Sequence, residues 1–205
     1  METLIHASKA GSIRGEIAIV ISDNLKAQGL QKAKTLGVDT CVVERKLFSS
    51  KADQEKKILR TLEEVVIDGI CLAGFMHVLG KEFLDNYPLK ILNIHPSLLP
   101  AFQGLDAVKK ALDYGVKISG CTVHFVDYGV DTGPVIIQSA IPIHSGETVE
   151  ALEKRILEKE HTVYPLALDW FCKGLLVVKN RHVYLSQDIA LSSSIQNGFI
   201  VPSPL

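Results

Sequence analysis

The 205-residue chain predicts an α/β fold: a mostly parallel sheet with helices on both faces. Three observations carry that prediction. Short β-branched runs alternate with longer apolar runs at helical spacing. Gly and Pro stand where the period changes. Hydrophobic residues make up 47% and charged residues 22%, the proportions of a globular domain rather than a fibre, a disordered chain or a disulfide mini-protein.

Met1 to Ala10 has the pattern of the back half of a helix, with Leu4 and Ile5 apolar and Gly11 as its stop. Glu16 to Ser22 reads as a buried strand bounded by Gly15 and Asp23. Leu25 to Leu36 is a helix stopped by Gly37, and Thr40 to Val43 a second strand. Ser50 to Val65 is a helix whose Ser50 and Asp53 form a capping pattern. Ile70–Phe75 and Lys90–His95 are two further strands around a short helix at Lys81–Tyr87. Leu105 to Tyr114 is a helix closed by Gly115. Gly120–Val126 and Pro134–Ala140 form a strand pair around a polar loop. Thr148 to Phe171 is a long helix that Pro165 is expected to interrupt, ended by Gly174. A hairpin follows, Leu175–Val178 and Val183–Leu185, turning at Asn180-Arg181. The organisation is one domain over 1–185 and a Ser-rich tail over 186–205, expected to pack loosely.

Lys+Arg is 22 against Asp+Glu 23, so the net charge is −1 and no footprint for nucleic acid or an anionic membrane follows. No apolar stretch is long enough to span a bilayer, and the N-terminus lacks the pattern of a secretory signal. Four cysteines without a C-x-x-C pair read as buried, reduced thiols of a cytoplasmic protein. No Cys/His spacing suits a metal, and no nucleophile elbow or P-loop occurs.

Asn93-Ile-His-Pro-Ser-Leu-Leu-Pro100 is the strongest feature. Asn93 and His95 lie two apart at a strand end and therefore share a face. Pro96 forces the chain to turn there, which places the pair at the carboxyl mouth of the sheet, where ligands bind in such folds. Pro100 and Gly104 are fixed bends of the loop that follows. Asp127-Tyr-Gly-Val-Asp-Thr-Gly-Pro134 is longer than a plain hairpin turn and carries two carboxylates. A carboxylate beside His95 is expected to raise its pKa above about 6.5 and make it a proton donor near neutral pH. Thr122, on the strand leading into that loop, is positioned to orient a group or a water on the same face. Taken singly, each has an ordinary reading: a structural His, a turn-forming Asn, a turn-forming D-x-G. His6, His124, His144, His161 and His182 read as structural or surface groups. Spacing alone supports an α/β enzyme with an Asn/His/Asp site.

Asn93-Ile-His-Pro-Ser-Leu-Leu-Pro100 together with Asp131-Thr-Gly-Pro134 resembles the folate-dependent formyltransferases, and within them the phosphoribosylglycinamide formyltransferases. Leu72–Met76, Ser119–Val126 and Glu160–Pro165 support the resemblance, which runs from Met1 to about Gly174. It implies a Rossmann-like formyltransferase fold. It also implies formyl transfer from 10-formyltetrahydrofolate to the amine of 5-phosphoribosylglycinamide, in purine biosynthesis. By the same resemblance Asn93, His95 and Asp131 are catalytic. Met76, His77, Val78 and Leu79 form one wall of a pterin slot and Asp127, Tyr128, Gly129, Val130 and Asp131 the other, with Lys51 toward the folate tail. The family often has Arg where this chain has His77. Leu157, Glu158, Lys159 and Glu160 match the segment that binds the ribose of the amine substrate. The implied partners are small molecules alone, with no nucleic acid, no membrane and no metal, in a monomer or homodimer.

The family opens on a strand and a Gly-Ser-Asn phosphate loop, and Met1 matches a position inside the helix after them. The expectation is therefore a sheet lacking that first strand and loop, with a start codon placed too late favoured over a complete chain that binds phosphate poorly. A formyltetrahydrofolate hydrolase is the competing enzyme, resembled around Pro100–Gly104 but with His-His-Ser in place of His95-Pro96-Ser97. A methionyl-tRNA formyltransferase needs a tRNA-binding domain that the balanced charge does not support. A non-catalytic folate-binding homologue is the remaining alternative.

Overall fold

The computed structural model describes residues 1–186 and 199–203. The chain runs α1 (Glu2–Lys9), β1 (Ile19–Ser22), α2 (Gln28–Thr35), β2 (Asp39–Val42), α3 (Lys51–Val65), β3 (Ile70–Leu72), α4 (Lys81–Asn86), β4 (Ile91–His95), α5 (Ala107–Tyr114), β5 (Ile118–Phe125), β6 (Val135–Pro142), α6 (Val149–Cys172), β7 (Leu176–Lys179), β8 (His182–Leu185) and β9 (Phe199–Ile200). The predicted elements are all present, most with trimmed ends. The expected caps are there too: the Ser50 hydroxyl accepts from the Asp53 N–H at the start of α3, and Gly115 closes α5 at φ 80°.

The α/β class stands, with its pairing divided. β1–β2 and β3–β4 are parallel, each joined through a helix. β4–β5, β5–β6 and β6–β9 are antiparallel, giving a five-stranded sheet in the order β3-β4-β5-β6-β9. Among the described residues, β1 pairs only with β2 and β3 only with β4, so each keeps an open edge.

Period-two alternation sorts the core into two layers. Leu92 of β4 faces a large cluster with Val123, Ile137, Leu152, Val163 and Trp170, which seats α6. Its neighbour Ile91 faces the other way, into a cluster with Leu59, Leu62, Leu79 and Phe83 that seats α3 and α4. Ile19 and Ile21 of β1 and Ile70 and Leu72 of β3 border that same second cluster. The sheet is thus covered on both faces, and β4 ends at His95.

Three expectations change. α6 is continuous through Pro165 rather than interrupted. Val163, Tyr164, Ala167 and Leu168 around it are buried, so packing outweighs the roughly 3 kcal/mol a helix-interior proline costs. Part of the tail packs firmly: β9 extends the sheet against Gln138 and Ser139, and the Leu185 N–H donates to the Ser203 carbonyl. The rest of the tail lies outside the described residues. Of the cysteines, Cys121 is buried but Cys172 is exposed, its sulfur packed against Gly15.

Candidate active site

The site forms where β4 ends. Asn93 stands opposite His124 of β5, and His95 opposite Thr122, so all four side chains share one face. Beyond β5 the chain loops through 126–134 and brings Asp131 back over that face. Asp131 adopts φ 52°, the left-handed region that costs a non-glycine residue strain. Two contacts hold it there: the Gly104 N–H donates to Oδ2 at 2.8 Å, and the Gln103 amide donates to its carbonyl at 3.0 Å. Gly104 itself sits at φ 75°, the bend its position predicted. The neighbouring Thr132 carbonyl accepts from Arg181 at the tip of the β7–β8 hairpin, at 2.7 Å.

His95 is buried between two acceptors. Its Nε2 lies 2.9 Å from the Phe102 carbonyl, and its Nδ1 lies 3.3 Å from Asp131 Oδ2. A carbonyl only accepts, so Nε2 carries the proton in the neutral ring. Nδ1 then presents a lone pair to a carboxylate, and the pair is a ready place for one added proton. The expected raised pKa is corrected here. Burial pushes His95 below its ordinary value and outweighs the opposing pulls of the Phe102 carbonyl and of Asp131. The carboxyl of Asp131 is held down to about 2, chiefly by the His124 ring and further by the Gly104 N–H and His95, against its own burial.

His124 is the residue that reading the sequence missed. It is 2% exposed, its Nδ1 donates to the Phe125 carbonyl at 2.8 Å, and its Nε2 faces the Asn93 amide at 3.2 Å. Nε2 also lies 3.6 Å from Asp131 Oδ1, so it accepts from Asn93 while it is bare and donates toward Asp131 when it carries a proton. The other Asn93 N–H reaches Asp131 Oδ1 at 3.5 Å, a long contact free to move to a better acceptor. The signal for His124 was present: it lies two residues after Thr122, and alternation puts both on one face.

Other expected residues fall as follows. The Thr122 hydroxyl donates to the Ser97 carbonyl and accepts from the Leu99 N–H and the Gln138 amide, so it organises the loop after Pro96 rather than a water. Met76 and Val78 are exposed, whereas Leu79 belongs to the second core cluster. His77 reaches Asp23 at 3.1 Å. The Lys51 ammonium is engaged with the Val78 carbonyl and with Glu55. Asp127 accepts from the Gly129 N–H and the Thr132 hydroxyl, making the turn. The Tyr128 hydroxyl donates to Asp85 of α4 at 2.6 Å, joining the 127–131 segment to the helix that follows Met76–Leu79. Val130 is exposed beside it.

Leu157–Glu160 occupy one turn of α6 and point in different directions. Leu157 and Glu158 are exposed, and the Lys159 ammonium lies over the Phe199 ring. Glu160 is half-buried, and burial pushes its carboxyl up despite the nearby amino group of Met1. The structure therefore brings together Asn93, His95, His124 and Asp131, and leaves the α6 segment as a separate contribution.

The formyl transferase family matches residues 1–168. The chain belongs to the formyl transferase family. Among curated relatives, this formyl transferase chain is 39% identical over 185 residues to the phosphoribosylglycinamide formyltransferase of Haemophilus influenzae, covering 90% of this chain and 87% of that one. It is 43% identical over 178 residues to the trifunctional purine biosynthetic protein adenosine-3 of Gallus gallus, spanning 87% of this chain but only 18% of that protein's length. Among solved structures, the glycinamide ribonucleotide transformylase 1 of Symbiobacterium toebii superposes with a TM-score of 0.88 at 43% identity, covering 90% of this chain and 87% of that one. No helix among the described residues is long and apolar enough to cross a membrane.

Proposed function

We propose that this formyl transferase moves the formyl group of 10-formyltetrahydrofolate to the amine of 5-phosphoribosylglycinamide, a step of purine (IMP) biosynthesis. The observation that carries the reading is the Asn93/His95/Asp131 cluster at the carboxyl end of β4, with His95 Nδ1 3.3 Å from Asp131. The relatives' names supply the amine substrate and the group moved, and the resemblance to folate-dependent formyltransferases supplies the donor.

The amine nitrogen attacks the formyl carbon, and the C=O π pair moves to oxygen. Asn93 turns its loosely held N–H from Asp131 to that oxygen as it becomes anionic. One such donor is worth about 3–4 kcal/mol of barrier. The attacking nitrogen, now an ammonium, gives its proton to the His95–Asp131 pair, directly or through a water. The intermediate collapses as the C–N10 bond breaks, and the same proton is delivered to N10. Formylated product and tetrahydrofolate leave, and no covalent enzyme intermediate forms. A neutral His95 suits this sequence of transfers, because only the neutral ring leaves the pair free to take the proton.

Met76 and Val78 on one side and Asp127–Asp131 on the other offer apolar side chains and backbone groups to a flat pterin. Glu160 accepts from ribose hydroxyls, with Leu157–Lys159 beside it. The chain acts on small molecules in the cytoplasm.

The test supplies 10-formyltetrahydrofolate with and without the glycinamide ribotide and follows tetrahydrofolate release. Amine-dependent release is expected. Release at the same rate without the amine would make the chain a hydrolase, and folate binding without release would make it a non-catalytic homologue.

A further inference from the structure

Between β3 and α4 the chain crosses Ala73–Gly80, an irregular segment with no strand to pair with. Backbone groups in such a segment need partners. Two of them find partners in side chains of the first turns of α3. The Gly80 N–H donates to Glu55 Oε1 at 2.9 Å. The Val78 carbonyl accepts from the Lys51 ammonium, and that ammonium also lies 3.4 Å from Glu55 Oε1. Glu55 is 8% exposed. A carboxylate so buried is costly unless it is paired and hydrogen-bonded, and here it is both.

Gly80 makes the arrangement possible. Its backbone, at φ −73° and ψ 160°, is open to any residue, so conformational freedom does not explain the glycine. Space does: a Cβ there would lie 2.4 Å from Glu55 Oε2. The carboxylate occupies the room a side chain would take.

We infer that Glu55, acting with Lys51, is the positioning residue for the Val78–Gly80 backbone and hence for the folate wall that Met76 and Val78 present. The inference rests on the folate reading given above. It assigns Lys51 to the wall itself rather than to the folate tail. Glu55 is buried against the Gly80 backbone, so its loss is felt where the wall meets the donor and not at the reacting carbon.

The experiment compares wild type, Glu55→Ala, Glu55→Gln and Gly80→Ala in steady-state transfer and in equilibrium binding of tetrahydrofolate. Glu55→Ala is expected to raise KM for 10-formyltetrahydrofolate about tenfold, with kcat within about twofold and KM for the ribotide unchanged. Glu55→Gln keeps an acceptor for the Gly80 N–H and recovers part of the loss. Gly80→Ala displaces the carboxylate and reproduces the Glu55→Ala shift. Ile5→Ala, in a separate core cluster, lowers the melting temperature without moving either KM, and so separates positioning from general destabilisation. An unchanged folate KM in Glu55→Ala, or equal shifts in both KM values, overturns the inference and leaves the proposed function standing. Wild type that binds folate without transferring it overturns the proposed function. The binding ratio of wild type to Glu55→Ala then decides the inference, with weaker binding supporting it and equal binding overturning it. Wild type that binds no folate overturns both.

Discussion

His95 sits in a balance of opposed effects. Burial favours the neutral ring, while the Phe102 carbonyl and Asp131 favour the charged one, and burial prevails. The acid limb of kcat/KM is therefore expected below His95's ordinary value. An NMR titration of the ring is expected to place its midpoint below about 6.5 in wild type and lower still in Asp131→Asn, where the carboxylate's upward pull is gone. A midpoint above about 6.5 in wild type would contradict the proton-accepting role. His95→Ala and Asp131→Asn are each expected to lower turnover by at least about two orders of magnitude with little change in folate affinity. Near-normal turnover in either would remove the residue from the mechanism. The same groups set acid stability. Asp131's carboxyl is depressed to about 2 in the fold, so its contribution is complete above the ordinary carboxylate range and is lost as pH falls toward 2. His95's contribution is also lost on the acid side, because the unfolded chain takes up that proton first. Thermal melts of Asp131→Asn should lose the part of the acid limb that Asp131 itself contributes as pH falls from about 4 toward 2.

Among the elements, the β5–β6 loop is the one that assembles the site, and small residues let it do so. A Cβ on Gly133 would stand 1.8 Å from the Phe125 carbonyl, where the loop closes against the end of β5. Gly133→Ala is therefore expected to destabilise the fold by about 1–3 kcal/mol and to displace Asp131, visible as a lower melting temperature and a greater than tenfold fall in kcat. Glu55→Ala offers the contrast, changing KM and not kcat. The strand ends that carry Asn93 and His95 were legible from β-branched alternation and from Pro96. The loop's hold on Asp131 was not. It runs through Gln103 and Gly104, 28 and 27 residues away in sequence, and through Arg181, which bonds the Thr132 carbonyl 49 residues away.

At the scale of the whole molecule, α6 locks the sheet together at its working edge. The hydroxyl of Tyr164 lies 2.8 Å from the Leu72 carbonyl of β3 and 2.9 Å from the Leu92 carbonyl of β4. It is buried, and its single proton is shared between carbonyls of two neighbouring strands. Tyr164→Phe is expected to cost about 1–3 kcal/mol, read in denaturant melts with an unchanged m-value. An undiminished midpoint would show that the helix is held by its apolar face alone. That face is also why Pro165 does not break α6: the residues on either side are committed to the core before the helix's own hydrogen bonds are counted.

The sequence by itself determined the α/β class, the order of its elements, and the placing of an amide and an imidazole at one strand end, because period and punctuation are local properties of a chain. The tertiary structure alone decided that His124 joins them and that Lys51 and Glu55 turn to the 76–80 segment. It also decided that burial pushes His95 below its ordinary value despite the carboxylate beside it. Each of these depends on how much water is excluded and on which distant atoms fill the space, and no run of neighbouring residues encodes either.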